Sequence, residues 1–162
     1  MKSITIATTR FNEETYKQNI NYKNNIQYKG CLYGTPLKIK EKIPLESNVY
    51  VIEMNNEKNK IEGIGLIINK NILDKNYRIY NDKDYNRYIY KGNIHLSATD
   101  IIDSYNKKVI IVLEQLLFKG EKHCKRAQGI TQLPEWILNN KSKFDFIHCF
   151  NEIFKKYIIN NK

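Results

Sequence analysis

The chain has 162 residues, of which 41% are hydrophobic and 27% are charged, and it contains no long proline, glycine or serine tract. This length and composition predict one folded domain and exclude a disordered chain. The 27 Lys and Arg residues against 17 Asp and Glu residues give a net charge of +10, which favours anionic partners such as nucleic acid.

The chain opens with a strand pattern followed by a helix start. Residues 4–8 alternate apolar and polar side chains, which predicts a strand. The sequence Asn-Glu-Glu-Thr from Asn12 onward predicts the beginning of a helix that runs to about Tyr22. Residues 30–42 contain glycine and proline and are interpreted as a loop.

The best strand pair is a hairpin made of residues 49–54 and 61–68, two β-branched runs joined by a polar turn. Gly63 and Gly65 fall on one face of its second strand, because strand side chains alternate with period two. We interpret them as a bulge or a barrel bend; close approach of a ligand is the alternative. Further strands are predicted at 77–80, 85–91 and 94–96.

The pattern changes to a helical period after residue 97. Ser97 and Asp100 have capping-box spacing and predict a helix to about Ser104. Apolar positions then recur at helical spacing from residue 105 to 117; a buried strand over 109–113 is the alternative, and we favour the helix. A short helix is expected over 132–139. A last helix is predicted from an apolar stripe, which comprises Phe146, Cys149, Phe150, Ile153, Phe154, Tyr157 and Ile158.

These elements predict a single α+β domain built around a small mixed β-barrel with flanking and C-terminal helices. The β-rich part spans about 1–97, and a helical part spanning about 98–162 packs on it. The segments NVYVIEMNN at 48–56 and KIEGIGLI at 60–67 resemble the central hairpin of PUA-like domains, the superfamily that includes the EVE, ASCH and YTH domains. The order of elements agrees over about residues 4–131.

The resemblance implies a pseudobarrel that binds RNA or a modified base, often with an aromatic-lined pocket beside a basic groove. The tryptophan-rich cage of YTH domains and the Gly-x-Lys-x-x-Glu-x-Arg pattern of ASCH domains do not occur in this sequence. No cage or catalytic residue of those families is therefore carried over, and the resemblance implies fold and ligand class alone.

A basic loop between two apolar segments is the strongest candidate site. The candidate nucleic-acid-binding residues in it are Lys119, Lys122, His123, Lys125, Arg126, Gln128, Gly129 and Thr131. Its cations are suited to phosphate, Gln128 can bind a base edge, and Gly129 lets main-chain amides approach a phosphate. The alternative is an ordinary surface loop, with Gly129 as a turn residue and Thr131 as a helix N-cap.

Aromatic side chains supply candidates for base stacking. Tyr88 and Tyr90 share one face of a predicted strand, next to Arg87 and Lys91, and Trp136 closely follows the basic loop. Each of these three could instead pack in the core, as strand tyrosines and single tryptophans commonly do.

Signs of catalysis or of a cofactor are weak. His123 and Cys124 are adjacent, so their side chains diverge and make a poor nucleophile and base pair. The histidines and cysteines lack metal-ligand spacing, and neither a P-loop nor a Gly-x-Gly-x-x-Gly fingerprint occurs. Several aspartates could pair as metal ligands but suit turns and caps. We predict no catalytic residue, no metal and no cofactor.

The three cysteines are widely spaced and indicate free thiols in a reducing compartment. With no signal peptide or membrane span recognised, we expect an intracellular protein, cytoplasmic or nuclear, without a membrane partner. Abundant Asn, Lys and Ile indicate an AT-rich genome such as that of a large DNA virus, in which case the location would be the host cytoplasm. This bias also raises the lysine count, so charge alone is weak evidence.

The sequence therefore predicts a non-catalytic module that binds nucleic acid, with RNA favoured over DNA. Two alternatives stay open. One is an adaptor that binds an acidic protein partner, since Tyr and Arg are also enriched at protein interfaces. The other is a small nuclease or hydrolase that acts on modified nucleotides.

Overall fold

A computed structural model describes residues 3–140 and 144–162. The strands are β1 (Ile4–Phe11), β2 (Cys31–Thr35), β3 (Asn48–Asn55), β4 (Lys60–Ile68), β5 (Tyr88–Gly92), β6 (Ile94–Ser97) and β7 (Thr131–Gln132). The helices are α1 (Glu13–Asn25), α2 (Ala98–Ser104), α3 (Lys107–Phe118), α4 (Glu135–Leu138) and α5 (Phe146–Asn160), with a 3-10 turn at Lys83–Asn86. The protein is therefore of the α+β class, as the sequence predicts.

The main sheet has five strands in the order β6-β4-β3-β1-β7, and β2 pairs with β5 in a separate two-stranded sheet. β1 and β3 are parallel, while the other pairs are antiparallel. The β3–β4 hairpin confirms the predicted strand pair. The register of the hairpin shifts after Glu53. Glu53 pairs with Gly63 but Met54 pairs with Ile61, so Glu62 is left without a partner residue opposite it. A bulge therefore lies beside one of the two glycines, as we expected.

The five-stranded sheet is buried on both faces. One face, which includes Ile6, Ile52 and Ile64, packs against helices that contribute Leu113 and Phe150. The opposite face is covered by the two-stranded sheet and its neighbouring loops; Val49 and Val51 pack there against side chains such as Leu32 and Tyr33. The result is a layered arrangement with two hydrophobic cores separated by the main sheet.

The two sheets approach each other closely at glycines. A Cβ on Gly65 would lie 2.6 Å from the Cys31 sulfur, and a Cβ on Gly92 would collide with the Leu66 carbonyl oxygen. Because these positions carry no Cβ, the second sheet can pack directly against the main sheet there. This close packing accounts for the two glycines without a ligand. In the part of the chain that the structure describes, the two sheets are not closed into a barrel.

The helix starts agree with their predicted caps. Asn12 accepts from the Thr15 amide at 2.8 Å and its own amide donates to the Thr15 hydroxyl at 3.0 Å, which completes a capping box for α1. Ser97 accepts from the Asp100 amide and starts α2. The helix interpretation of the 105–117 pattern is confirmed, with α3 beginning after the N-cap Asn106. No helix of the described residues combines the length and apolar content that a bilayer crossing requires.

Four predicted elements differ from the structure. The predicted loop 30–42 contains β2. This strand forms because it pairs with the distant strand β5, from Cys31 opposite Gly92 to Thr35 opposite Tyr88. Residues 77–80 are irregular, and the 85–91 segment starts in the 3-10 turn before it becomes β5. Thr131 belongs to β7, opposite Thr8, and does not cap a helix; α4 begins only after Pro134.

Candidate functional site

A cavity of about 250 Å³ opens where β1 ends and α1 begins. The β3–β4 turn, the end of β2 and the basic loop complete its wall. β1 and β3 run parallel, so their carboxyl ends meet at this edge, a place where ligands commonly bind in sheets with parallel strands. An empty cavity of roughly 150 Å³ holds a benzene ring. This cavity therefore has room for a planar ring with polar substituents.

The end of β1 and the first turn of α1 form one wall, to which Thr9, Arg10, Phe11, Asn12 and Thr15 contribute. Asn12 and Thr15 are held by their mutual capping hydrogen bonds. β1 ends and α1 begins at this point. The local sequence that forms this junction therefore also positions polar side chains along the cavity.

The end of β2 and two tyrosines form the opposite wall. A Cβ on Gly34 would collide with the Tyr85 carbonyl oxygen and lie 3.1 Å from the Tyr80 ring, so glycine keeps this wall compact. Tyr80 is buried and its hydroxyl accepts from Asn19 at 3.0 Å. The half-buried Tyr85 packs edge to face on Tyr80, with ring centroids 6.3 Å apart. Tyr85 thus contributes an aromatic side chain to the cavity wall.

The basic loop reaches the cavity through its last residues. Gln128 and Gly129 line the cavity, and Gly129 has a φ of +70°, a conformation that favours glycine. Asn56 lines the cavity as well, and its side-chain amide donates to the Lys125 carbonyl oxygen at 2.9 Å. The loop is therefore tied to the β3–β4 turn at the cavity rim.

Arg10 is the one charged residue in the cavity wall, and it forms no ion pair within residues 3–140 and 144–162. The nearby carboxylate Glu13 does not line the cavity. It accepts from the Asn55 side chain at 2.7 Å and lies 3.4 Å from the Lys58 ammonium, and the Asn55 hydrogen bond holds its pKa below the ordinary value. The cavity consequently suits a ligand that offers hydrogen-bond acceptors or negative charge.

The Asn56 side chain carries an unpaired acceptor. Its Oδ1 is buried and, among the described residues, receives no hydrogen bond. Leaving a buried acceptor unpaired costs about 1–3 kcal/mol, and such a group in a folded protein calls for an explanation. Asn56 is itself a residue of the cavity wall, so a ligand bound there could supply the missing donor once a side-chain movement exposes Oδ1.

The remaining residues of the predicted basic loop are not among those that line the cavity. Lys119, Lys122 and Arg126 are exposed. The His123 Nδ1 accepts from the Lys125 amide at 3.3 Å, and the Thr131 hydroxyl donates to the Gln128 carbonyl oxygen at 3.0 Å. His123 and Thr131 thus shape the loop, while the cations present free charge at its surface.

The three predicted stacking residues occupy different environments. Trp136 is 41% exposed and the Lys122 ammonium lies 5.6 Å from its ring, so the tryptophan stands on the surface beside the basic loop. Tyr88 is half-buried, with the Lys38 ammonium 5.6 Å from its ring. Tyr90 is only 2% exposed and its hydroxyl accepts from the Ile39 amide at 3.1 Å. Trp136 is the one whose ring is most available to a base.

A second depression adjoins the first. It has a volume of about 250 Å³ and shares Pro36, Tyr85 and Gln128 with the main cavity. Its own residues include Asp84 and Arg87, which form an exposed ion pair at 3.2 Å. Tyr85 and Gln128 therefore lie between two adjacent cavities. Two such cavities could bind consecutive units of a chain-like ligand.

A buried polar cluster lies away from the cavity, between the two sheets. The Tyr33 hydroxyl donates to Glu53 at 2.7 Å, and His95 Nε2 lies 3.0 and 3.1 Å from the two Glu53 oxygens. Burial pushes the pKa of Glu53 upward, but His95, Tyr33 and Lys23 outweigh it, so the pKa lies below its ordinary value. Burial also raises the pKa of the Cys31 thiol to about 12, which leaves it a poor nucleophile.

The three cysteines are free thiols. Among the residues that the structure describes, no group of three or more His, Cys, Asp or Glu side chains could hold a metal ion. The aspartates considered as metal ligands serve locally: Asp74 accepts from the Tyr77 hydroxyl at 2.8 Å, and Asp82 caps the 3-10 turn by accepting from Asp84.

Sequence reasoning found Gln128 and Gly129 but missed the rest of the cavity wall. The strand-to-helix junction at Arg10 and Asn12 was visible in the sequence and could have suggested a ligand position at a strand end. Asn56 and Tyr85 carry no local signal. Comparisons of this chain with protein-family models, curated proteins and solved structures found no match.

Proposed function

We propose that this protein is a non-catalytic nucleic-acid-binding module that receives one base in the cavity and holds the adjoining backbone with the basic loop. One observation carries the proposal: the basic loop ends in the cavity wall, at Gln128 and Gly129, and is tied there by Asn56. This connection supports treating the base-sized cavity and the cations of the loop as parts of one site.

The cavity offers what recognition of an unpaired base requires. Its volume of about 250 Å³ suits a planar ring, Tyr85 supplies an aromatic surface, and Gln128 and Asn56 supply amides for a base edge. Base and aromatic stacking contributes on the order of 1–3 kcal/mol per base. The exposed Trp136, close to Lys122, offers a further aromatic ring beside the basic loop.

The basic loop supplies the sequence-independent part of binding. Lys119, Lys122 and Lys125 act as point charges, and the planar guanidinium of Arg126 suits a bidentate phosphate contact. These charges support attraction of a polyanion by a chain whose net charge is +10. Arg10 extends the positive charge into the cavity wall.

We also propose that the two sheets correspond to the pseudobarrel of PUA-like domains, and this resemblance favours RNA over DNA. Support comes from the close packing of the sheets, in which Gly65 meets Cys31 and Gly92 meets Leu66. A pseudobarrel needs this kind of contact between strands that do not pair along their whole length.

The test is a binding titration of the nuclease-treated protein with fluorescent single-stranded and duplex RNA and DNA, across a salt series. We expect submicromolar affinity for one of these nucleic acids, with a log-log salt slope of several units because phosphate contacts release counterions. Lys155→Ala, which removes an exposed cation on α5 and leaves the basic loop intact, serves as the control and should bind as the wild type does. Weak binding that does not distinguish the four ligands would contradict the proposal and direct attention to an acidic protein partner.

A further inference from the structure

We propose that Asn56 Oδ1 accepts a hydrogen bond from an N–H group on the Watson–Crick edge of the bound base. The site would then take an unpaired base whose edge N–H is not alkylated. This inference rests on the proposed function and specifies the ligand of the same cavity. It starts from the acceptor on Asn56 that has no partner in the described residues.

The orientation of the Asn56 amide is fixed by its other hydrogen bond. The Lys125 carbonyl oxygen, 2.9 Å from the Asn56 amide nitrogen, can only accept, so the nitrogen must face it. The opposite assignment would place two oxygens against each other. Oδ1 is therefore the Asn56 side-chain atom without a partner in the described residues, and as a buried acceptor it requires a donor.

The rest of the wall is able to satisfy acceptors. Arg10 carries only side-chain donors, Gln128 has an amide that can donate, and among the described residues no carboxylate lines the cavity. A ligand therefore has to offer a donor to Asn56 and an acceptor to its neighbours. The Watson–Crick edge of every standard base presents an N–H group beside an acceptor, so it matches this arrangement.

Two consequences follow for the ligand. In a duplex the Watson–Crick edge is occupied by the partner base, so the site takes a base from a single strand or one that has been turned out of its helix. Oδ1 exposes less than 1 Å² to solvent, so a base can reach it only after the Asn56 side chain or a neighbouring wall residue moves. Side-chain adjustments of this kind are common on binding.

The experiment uses single-stranded oligonucleotides that differ at one central base. The standard bases are compared first, and the preferred one is then replaced by a form without an edge N–H, such as N3-methyluracil for uracil or N6,N6-dimethyladenine for adenine. Affinities are measured for the wild type, for Asn56→Leu and for Asn56→Asp. Leucine removes the acceptor, whereas aspartate keeps an acceptor oxygen and loses the amide that holds Lys125.

We expect the alkylated base to bind the wild type about tenfold more weakly or worse, the scale of one lost hydrogen bond to a buried acceptor. The ratio of the two affinities should fall to nearly one in Asn56→Leu and persist in Asn56→Asp. A change in the affinity ratio between variants reports on the hydrogen bond from the base to residue 56. Loosening of the loop, or a steric effect of the methyl group, would not change this ratio in the same way.

An unchanged affinity for the alkylated base, or the same loss in Asn56→Leu as in the wild type, would overturn the role of Asn56. Salt-sensitive oligonucleotide binding under those circumstances would leave the proposed function standing. If no oligonucleotide bound the wild type with submicromolar affinity, the inference and the proposed function would both fail.

Discussion

The side-chain amide of Asn56 donates to the main-chain carbonyl oxygen of Lys125 across 69 residues of sequence. Asn56 directly follows β3, and its own amide donates to the Phe11 carbonyl oxygen at 2.9 Å. The basic loop is thereby linked to the ends of two parallel strands in the main sheet. The main chain of the loop at Lys125 is thereby held at the cavity-wall residue Asn56.

Arg126→Ala should weaken binding of the preferred oligonucleotide by about 1–3 kcal/mol and lower the log-log salt slope by about one, because one phosphate contact is lost. Arg126 is exposed, so thermal stability should stay close to that of the wild type. Fluorescence anisotropy across a salt series measures both quantities. Unchanged affinity would remove the loop from the binding site.

Trp136 is the single tryptophan of the chain, so its fluorescence reports on one position. If a base stacks on its exposed ring, an unlabelled oligonucleotide should quench the emission. Trp136→Ala should then weaken binding by about 1–3 kcal/mol, while Trp136→Phe keeps an aromatic ring and should lose less. Emission that stays constant at saturating oligonucleotide would exclude stacking on this ring.

Gly129 and Gly120 provide a matched pair in the same loop. Both have positive φ, +70° and +80°, and neither substitution to alanine would create a contact shorter than 3.4 Å, so each should cost about 1–2 kcal/mol in backbone strain. Only Gly129 lines the cavity. Gly129→Ala should therefore reduce oligonucleotide affinity severalfold and Gly120→Ala should not. Equal effects in a binding titration would show that general loosening of the loop is responsible.

Glu53 should make the free energy of unfolding depend on pH in the acid range. Its pKa in the folded protein lies below the ordinary value of 4.5, so its contribution is fully present above pH 4.5 and is lost as pH falls through the lowered value. Glu53→Gln should cost ~1.5–3 kcal/mol at neutral pH, the scale of hydrogen bonds to a charged group. Urea unfolding at several pH values measures this difference, which should shrink below pH 4.5. A difference that stays constant down to pH 3 would contradict this role.

Much of the fold could be predicted because its signals are local. The β3–β4 hairpin follows from two β-branched runs around a polar turn, and α1 follows from the capping side chains of Asn12 and Thr15. The register shift beside Gly63 also agrees with the expected bulge. In each case, residues close in sequence determine the element.

The incorrect predictions concern segments whose structure depends on residues distant in the sequence. β2 contains Gly34 and is followed directly by Pro36, two residues that predict a loop. The segment is nevertheless a strand, because the residues of β5 from Tyr88 onward pair with it. Thr131 likewise joins the sheet opposite Thr8. The cavity was missed for the same reason, since Arg10, Asn56 and Tyr85 meet only in the folded chain.

The most direct test of the central claim is amide NMR of the isotope-labelled protein during titration with the preferred single-stranded oligonucleotide. The largest shift changes should fall on residues 9–12, 34–35, 56 and 125–129, which surround the cavity and the end of the basic loop. Changes confined to α3 and α5, on the opposite side of the main sheet, or no specific changes at saturation, would contradict nucleic-acid binding at this site.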